Sequence, residues 1–428
     1  MSVLNDLLAS VVLPPLHAVT RRFEDDALPD IPGAVRETLD RSAPADGLPP
    51  GAEVAVAVGS RGIANLPALV GATVGWFAGR GCRPFVVPAM GSHGGATAEG
   101  QIRVLAHLGV TEASVGCPVR ATMEVERIGA LDNGLPVFMD AHAARADGVF
   151  VINRVKAHTA FTGPHESGLV KMLVIGLGKR RGADACHSLG FGRFAELMPA
   201  MARFILDRRP SVLGGLAVVE NASDLTCLVE AVPRGRLLDR DRELLAYARR
   251  RMGTLPVDAL DVLLVDRMGK NISGSGMDPN VTGRSPSPYK TGGLKATQLG
   301  VLRLTEEAGG NATGLGNADV TTRRLFESVD FDATYANVMT STVLKAASVP
   351  VVMPTDEAAI RCLVRTCNAG NRPVRLAFIR DTLTLDRFWA SPALAETLGE
   401  RPDCRVEKEA RPFRFAEDGS LLEPGWES

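Results

Sequence analysis

The chain has 428 residues, 45% hydrophobic and 23% charged, which is typical of a globular protein and too long for one ordinary core. Its formal net charge of −1 gives no global electrostatic reason to expect nucleic acid or an anionic membrane as a partner. Seven scattered cysteines without a CxxC pair supply no zinc framework and are typical of a reducing cytoplasm.

Two further features favour a cytoplasmic location. No apolar run reaches the roughly 20 residues that a bilayer-spanning helix needs. The N-terminal stretch MSVLNDLLASVVLPPLH has Asp6 where a secretory signal would carry Lys or Arg. We therefore expect a cytoplasmic protein that does not enter a membrane.

Short apolar strands alternate with helical stretches through the first half of the chain. Strands are predicted for EVAVAVG, CRPFVVPAMG, DGVFVINRV and LGGLAVVEN, which begin at residues 53, 82, 147 and 213. Helices are predicted at 66–79, 97–108 and 236–253. This alternation is typical of βαβ units, so we expect a mostly parallel sheet flanked by helices.

A second series of the same kind follows a charged helix. Its strand and helix signals lie at 259–269, 298–304, 349–367 and 375–391. The Gly-, Ser- and Pro-rich loop at 273–293 is long for a simple connection, which favours a functional role. We predict an α/β protein of two domains, 1–254 and 255–428, with the active site in the cleft between them.

Polar side chains follow several predicted strands at their carboxyl ends. In parallel α/β domains, ligands bind at this edge of the sheet, where loops enter helices. The residues concerned are Arg61, His93, His158, Lys270 and Asn271. His93 lies between glycines just before a helix, where backbone N–H groups are available to an anion. A loop histidine that caps a helix end would show the same pattern.

The segment 155–187 gathers three histidines around the apolar run LVKMLVIGLG. His158 or His165 is a candidate general base, because imidazole titrates near neutral pH. Either histidine is equally compatible with a hydrogen-bonded loop position. His187 is a candidate metal ligand, with a neighbouring Cys or Asp or a bound cofactor completing the site.

Lys171 lies in the middle of that apolar run, where an isolated buried ammonium would be costly. A buried lysine forms an ion pair, loses its proton or becomes covalently modified. Glu166, five residues earlier, is the local candidate for an ion pair. A lysine with a lowered pKa is also the usual amine that carries a cofactor. The residues alone favour neither possibility over the other.

Common nucleotide and hydrolase motifs are missing from the sequence. GLGKRRGA is not a P-loop, because no Ser or Thr follows its lysine. No GxGxxG follows a strand in the first 150 residues, and no GxSxG marks a nucleophilic serine.

Four motifs taken together resemble the nickel-dependent lactate racemase family. They are GSHGGAT, KAHTAFTG, ESGLVKMLVIGLGK and ADACH, and the resemblance covers roughly residues 50–190. The second half resembles the C-terminal part of a less characterised branch in GKNISGSGMDPNVTGR, GLGNADVTTRRL and VPVVMPTDEAAI. The resemblance implies an isomerase, namely a racemase or epimerase of a 2-hydroxy acid or a sugar acid.

The resemblance also implies chemical roles. Lys171 would carry a nickel pincer nucleotide through a thioamide, and His187 would ligate the nickel. His93 and His158 would be the acid/base groups on the two faces of the substrate. An acylated lysine bears no charge, so an apolar shell around it would carry no burial penalty. Enzymes of cofactor biosynthesis are then expected partners, besides the small-molecule substrate.

The remaining candidates would bind ligands without reacting. Arg61 would hold the substrate carboxylate or a cofactor phosphate, and Lys179 is a weaker candidate for the phosphate. Further substrate contacts are expected from His165, Lys270 and Asn271. His165 is also an alternative to His158 as the acid/base group. Only the arginine of the racemases' Asp-x-Thr-Arg-Pro loop is present here, which favours a substrate other than lactate.

Two other functions fit the same residues. A non-catalytic protein that binds a small carboxylate would need the pocket but no turnover. A metal-dependent hydrolase or lyase would leave the lysine unmodified and would use His93, His158, His165 and His187 with Glu166.

Overall fold

The computed structural model describes residues 3–60, 62–188, 190–422 and 426. Its backbone divides into two compact units. The N-terminal unit contains Glu24–Met252, and the C-terminal unit contains the residues from Gly253 onward together with the segment that ends at Phe23. The predicted boundary after residue 254 lies close to this division, whereas the initial segment, predicted to belong to the first domain, is part of the second unit. None of the described helices is long and apolar enough to span a membrane.

The chain begins with helix α1 (Val3–Ala9) and strand β1 (Leu16–Arg21), both in the C-terminal unit. The N-terminal unit then supplies the strands β2 (Glu53–Val58), β3 (Arg83–Pro88), β4 (Val125–Ala130), β5 (Pro136–Asp140), β6 (Gly148–Arg154), β7 (Val212–Glu220) and β8 (Thr226–Pro233). Five of these form a sheet in the order β3-β2-β6-β7-β8, in which only β8 runs antiparallel to its neighbour. Strands β4 and β5 form a separate antiparallel pair.

Helices connect these strands. They are α2 (Ile31–Ser42), α3 (Leu66–Gly79), α4 (Ala98–His107), α5 (Glu112–Val115), α6 (Ala141–Arg145), α7 (Leu169–Lys171), α8 (Lys179–His187), α9 (Phe194–Arg208) and α10 (Leu237–Arg251). A π-helical turn, Met172–Gly176, joins α7 to α8. The α/β class predicted from the alternation of strands and helices is confirmed for this unit.

The five-stranded sheet has a hydrophobic core on each face. Along β2, the side chains of Val54 and Val56 enter one core with α2 and α3, whereas those of Ala55 and Ala57 enter the other with α7 to α10. A strand that is buried on both faces reads as a continuous apolar run, which is why EVAVAVG was recognisable in the sequence.

The C-terminal unit contains a second sheet. Its further strands are β9 (Ala259–Met268), β10 (Lys295–Leu304), β11 (Val320–Thr322), β12 (Val351–Met353), β13 (Leu376–Ile379), β14 (Arg387–Ala390) and β15 (Cys404–Arg411). The order is β12-β11-β10-β9-β13-β14-β1-β15, parallel from β12 to β13 and antiparallel beyond it. Its helices are α11 (Pro279–Thr282), α12 (Arg323–Glu327), α13 (Phe331–Ser341), α14 (Asp356–Thr366) and α15 (Pro392–Gly399).

The antiparallel edge of this sheet was not predicted. Strand β15 lies in the polar tail after Pro402, and most of its side chains are exposed. Charged residues are common on edge strands, where they discourage pairing with another chain. Strand β1 pairs with partners more than 360 residues later in the chain, so no local pattern marks it as part of this sheet.

Candidate active site

The loops that follow β2 and β3 pack against the π-helical turn that follows α7. A Cβ atom on Gly59, after β2, would lie 3.1 Å from both Asn153 Oδ1 and Met172 Sδ. The N–H of Gly91, after β3, donates to the carbonyl oxygen of Gly176 at 3.1 Å. Three strand ends of the parallel sheet are thereby brought together, as the sequence predicts for a ligand site.

His93 lies in the loop after β3 and is exposed. Its Nδ1 atom hydrogen-bonds with the hydroxyl of Ser60, in the loop after β2, which fixes the orientation of the ring. Helix α4 begins five residues later, and the side chain of its N-cap residue, Thr97, accepts the N–H of Gly100 at 3.0 Å. The predicted position of His93 before a helix is therefore confirmed. Arg61, the residue after Ser60, lies outside the described residues.

His158 follows β6 and is held by its own loop. Its Nδ1 atom accepts the N–H of Ala160 at 3.0 Å, so the neutral ring carries its proton on Nε2. The carboxylate of Glu166 is buried and accepts the N–H groups of His158 at 2.6 Å and of Gly163 at 2.9 Å. Glu166 also forms an ion pair with Arg249 of α10. Glu166, the candidate ion-pair partner of Lys171, thus pairs with Arg249 and holds the backbone of the His158 loop.

Three phenylalanines join His158 to His187. The ring of His158 lies 4.6 Å from Phe161 and 6.2 Å from Phe191, centroid to centroid. The ring of His187 lies 5.3 Å from Phe191 and 4.9 Å from Phe194. Phe191 therefore contacts both imidazoles, and two of the predicted site histidines share one aromatic cluster.

Lys171 and His187 are electrostatic neighbours. Burial lowers the pKa of His187, the positive charge of Lys171 lowers that pKa further, and Asp184 opposes the change. His187 is therefore a neutral imidazole near pH 7, the form that ligates metals. Burial raises the pKa of Cys186 to about 12, so this neighbour is a neutral thiol and not the thiolate that a metal requires.

Lys171 is half-buried, and the fully buried lysine of this segment is Lys179. Its ammonium lies 3.0 Å from Asp140, donates to Gln101 Oε1 at 2.9 Å and also donates to the carbonyl oxygen of Pro88. Burial lowers the pKa of Lys179, and the charge of Asp140 opposes that shift. These partners enclose the amine, so the expectation that Lys179 binds a cofactor phosphate is corrected: its role is structural.

His165 also lies in the interior of the N-terminal unit. Its Nδ1 atom is 3.1 Å from a carboxylate oxygen of Asp241, and both side chains are buried. The other oxygen of Asp241 accepts the N–H of Leu169 at the start of α7, at 2.7 Å. The ring is enclosed by this pairing, which corrects the expectation that His165 contacts the substrate or replaces His158.

Lys270 and Asn271 follow β9 in the C-terminal unit, at the carboxyl end of a parallel strand as predicted. The ammonium of Lys270 donates to the carbonyl oxygen of Gly274 at 3.0 Å and to Asn337 Oδ1 at 3.2 Å. The Oδ1 atom of Asn271 accepts the hydroxyl of Thr305 at 2.7 Å. Their predicted substrate contacts remain predictions.

Within the described ranges, no group of three His, Cys, Asp or Glu side chains is arranged to hold a metal ion. His187 therefore belongs to no such group among the described side chains.

The chain is similar in fold to two solved structures. No protein-family model and no curated protein matches the chain. Among solved structures, the lactate racemase apoprotein from Thermoanaerobacterium thermosaccharolyticum is similar over 86% of this chain and 99% of its own, with 11% sequence identity and a TM-score of 0.50. A structural-genomics target from Thermotoga maritima is similar over 77% of this chain and 85% of its own, with 13% identity and a TM-score of 0.48.

The chain has a lactate racemase-like fold. The resemblance seen in the sequence motifs is confirmed at the level of the fold, and the low identity makes this chain a divergent example. The likeness does not by itself transfer the activity, because a fold carries many functions and the site decides among them.

Several residues that shape the site of this lactate racemase-like fold were missed in the sequence. They are Ser60, Gln101, Asp140, Phe191, Phe194, Asp241 and Arg249. Asp140 ends an apolar strand, PVFMD, and Phe191 and Phe194 form FGRF close after His187; both patterns were available as signals. Asp241 and Arg249 lie in a charged helix and looked like solvated residues.

The first prediction concerns the buried Lys179–Asp140 pair. We expect Lys179→Met to lower the free energy of unfolding by about 3–5 kcal/mol, because it leaves Asp140 as an uncompensated buried charge. Adding Asp140→Asn should recover much of that loss, since the neutral amide can still accept the N–H of Ala143. Chemical denaturation of both variants measures the effect.

The control is Arg180→Met on the same helix. Arg180 forms an exposed ion pair with Asp184 at 3.5 Å, and such pairs contribute little to stability. A double variant as unstable as Lys179→Met alone would contradict the structural role given to this charge pair.

The second prediction concerns the coupling of Lys171 to His187. We expect Lys171→Met to raise the pKa of His187, because it removes a nearby positive charge, and NMR titration of the imidazole measures this. The folded-state pKa lies below the unfolded value of about 6.5, so wild-type stability falls as the pH falls through that value, and less so in the variant.

A matched control removes a distant positive charge. Arg36 is exposed on α2, and Arg36→Met should leave the titration of His187 unchanged. An unaltered His187 curve in Lys171→Met would show that the amine and the imidazole are not coupled.

Proposed function

We propose that the protein is an isomerase, a racemase or epimerase of a 2-hydroxy acid or sugar acid, with a nickel pincer nucleotide attached to Lys171. The observation that carries the proposal is the placement of a half-buried lysine beside a neutral histidine, on either side of a π-helical turn. π-Helical turns are frequent at functional sites. The lactate racemase-like fold supports the same assignment.

The residues present fit this group. A half-buried amine is accessible enough to be acylated, whereas the enclosed amine of Lys179 is not. Acylation would make Lys171 neutral, which removes a cation that would otherwise repel a divalent metal at His187. Metal binding at His187 is thus expected to be more favourable when Lys171 is acylated than when Lys171 is charged.

When bound at Lys171 and His187, the nickel pincer nucleotide would supply reversible hydride-transfer chemistry for the substrate Cα. The protein must then move one proton from, and one proton to, the substrate hydroxyl oxygen. His93 and His158 are assigned these proton transfers, since imidazole serves as acid and base near neutral pH. The hydrogen bonds with Ser60 and Ala160 would hold the rings of His93 and His158, respectively, in their working orientations.

The surroundings of His158 support this role. The Glu166–Arg249 pair fixes the backbone of the loop, and Phe161 and Phe191 cover the ring. A rigid, apolar surrounding limits the access of water, which strengthens electrostatic interactions at a reacting centre.

The competing functions are less well supported. A hydrolase built on a histidine cluster would need His165 and Glu166, but these side chains are committed to Asp241 and Arg249. A protein that only binds a carboxylate would not require a lysine and a neutral histidine side by side. The proposed partners are accordingly the small hydroxy acid and the enzymes that make the cofactor.

The third prediction tests the cofactor. We expect the protein co-expressed with the pincer-synthesising enzymes to carry a covalent adduct on Lys171 and stoichiometric nickel, as measured by intact mass, peptide mapping and metal analysis. Lys171→Arg should abolish the adduct, because guanidinium is a poor nucleophile at neutral pH, and Lys156→Arg should retain it. An unmodified Lys171, in cells that load a lactate racemase, would refute the cofactor assignment.

The fourth prediction tests the acid/base pair. In the loaded protein, His93→Ala and His158→Ala should each lower turnover by about 10²–10⁴-fold while the adduct on Lys171 remains. Chiral chromatography of 2-hydroxy acids after incubation measures the interconversion. His17→Ala, a change in the C-terminal unit, is the control and should leave the rate unchanged. Full activity in both site variants would contradict the assignment.

A further inference from the structure

A cavity of about 570 Å³ lies between the His93 loop and the outer face of α4. Ser60, whose hydroxyl hydrogen-bonds with His93, forms part of its lining, as do Gly94 and Gly95. The volume is that of a small-molecule site. The cavity therefore adjoins one of the two histidines assigned to proton transfer.

The remainder of the lining comes from one face of α4. Arg103 and Val104 lie three and four residues after Gly100, and His107 lies four residues after Arg103, so all four line the same side of the helix. From the first to the last of them the helix rises about 10 Å. The lining follows the helix for this length, and Ser60 lies in the part of the cavity next to His93.

The floor of the cavity is a close backbone contact. A Cβ atom on Gly100 would lie 1.8 Å from the carbonyl oxygen of Gly94, so the loop and the helix start touch directly. A Cβ atom on Gly95 would meet nothing within 4 Å. The two features give a rigid base with open space above it, and Val104 and Leu108 add an apolar wall.

Arg103 and His107 provide the polar end. Both side chains are exposed, and across the described residues neither forms an ion pair or a side-chain hydrogen bond. Other arginines of this unit are engaged, such as Arg154 with Glu220 and Arg249 with Glu166. A guanidinium that has no protein partner and lines a cavity is available for a carboxylate or a phosphate, which its planar fork binds in a bidentate manner.

We propose that this cavity holds the distal end of the substrate, and that Arg103, with His107 beside it, binds a second anionic group there. The substrate class is then a 2-hydroxy acid whose far end carries a carboxylate or phosphate, joined by a short spacer that packs on Val104 and Leu108. This inference rests on the proposed function, from which it takes the position of the reacting carbon beside His93.

The test compares two acids of matched skeleton with a third acid that carries a phosphate. The probes are 2-hydroxyadipate and 2-hydroxyhexanoate, which differ only in a terminal carboxylate against a methyl group, and 3-phosphoglycerate for a terminal phosphate. Calorimetry on the full-length, cofactor-free protein should show at least about tenfold tighter binding of one anionic probe than of 2-hydroxyhexanoate. The tighter of the two anionic probes identifies the group as carboxylate or phosphate.

Arg103→Gln should abolish this preference, Arg103→Lys should retain part of it, and Arg36→Gln should leave it intact. In the loaded enzyme, Arg103→Gln should raise KM for the preferred acid at least about tenfold with kcat nearly unchanged, because the contact is made equally in the ground and transition states. Equal binding of all three probes, or a preference that survives in Arg103→Gln, would overturn the inference.

The two proposals fail in different ways. If Lys171 stays unmodified but an anionic probe binds through Arg103, the racemase assignment is wrong and the cavity is still an anion site. If the loaded enzyme interconverts 2-hydroxyhexanoate as efficiently as the anionic acids, the racemase assignment holds and the distal anion site is wrong.

Discussion

The candidate site depends on the ion pair and the hydrogen bonds that the buried ammonium of Lys179 forms. The ammonium binds the carboxylate of Asp140 at the end of β5, the amide oxygen of Gln101 in α4 and the carbonyl oxygen of Pro88 at the end of β3. Gln101 in turn donates to the carbonyl oxygen of Gly91, in the loop that carries His93. Since a buried charge tolerates few arrangements of its partners, this network fixes the start of the His187 helix relative to the His93 loop.

Two further buried carboxylates hold the backbone segments that carry His158 and Lys171. Glu166 holds the backbone of the His158 loop, and Asp241 holds the N–H of Leu169 at the start of the turn that ends in Lys171. Helix α10 supplies one member of each pair: Arg249, which forms the ion pair with Glu166, and Asp241 itself, which pairs with His165. Helix α10 therefore positions His158 and Lys171, although it contributes no side chain to the proposed chemistry.

The sequence was sufficient for the parts of this architecture that have local causes. Strands buried on both faces appear as apolar runs in the sequence, so the α/β class could be predicted. The loops after these strands carry His93 and His158, so the positions of both histidines could be predicted as well. The buried network around Lys179 could not be predicted, because the partners of Lys179 in α4 and β3 are 78 and 91 residues away in the sequence. The sequence context also suggested a buried Lys171, whereas the structure leaves that side chain half-buried and buries Lys179 completely.

The contrast between these two lysines has a backbone cause. They are eight residues apart, and the π-helical turn and Gly178 lie between them. A Cβ atom on Gly178 would lie 2.4 Å from the carbonyl oxygen of Val174, so the chain can only fold this tightly with glycine there. After this turn, Lys179 itself adopts a left-handed backbone with φ of +52°. One amine is thereby directed into the interior, where a carboxylate neutralises it. The other remains partly exposed beside His187, where its charge acts on the imidazole and where acylation would remove that charge.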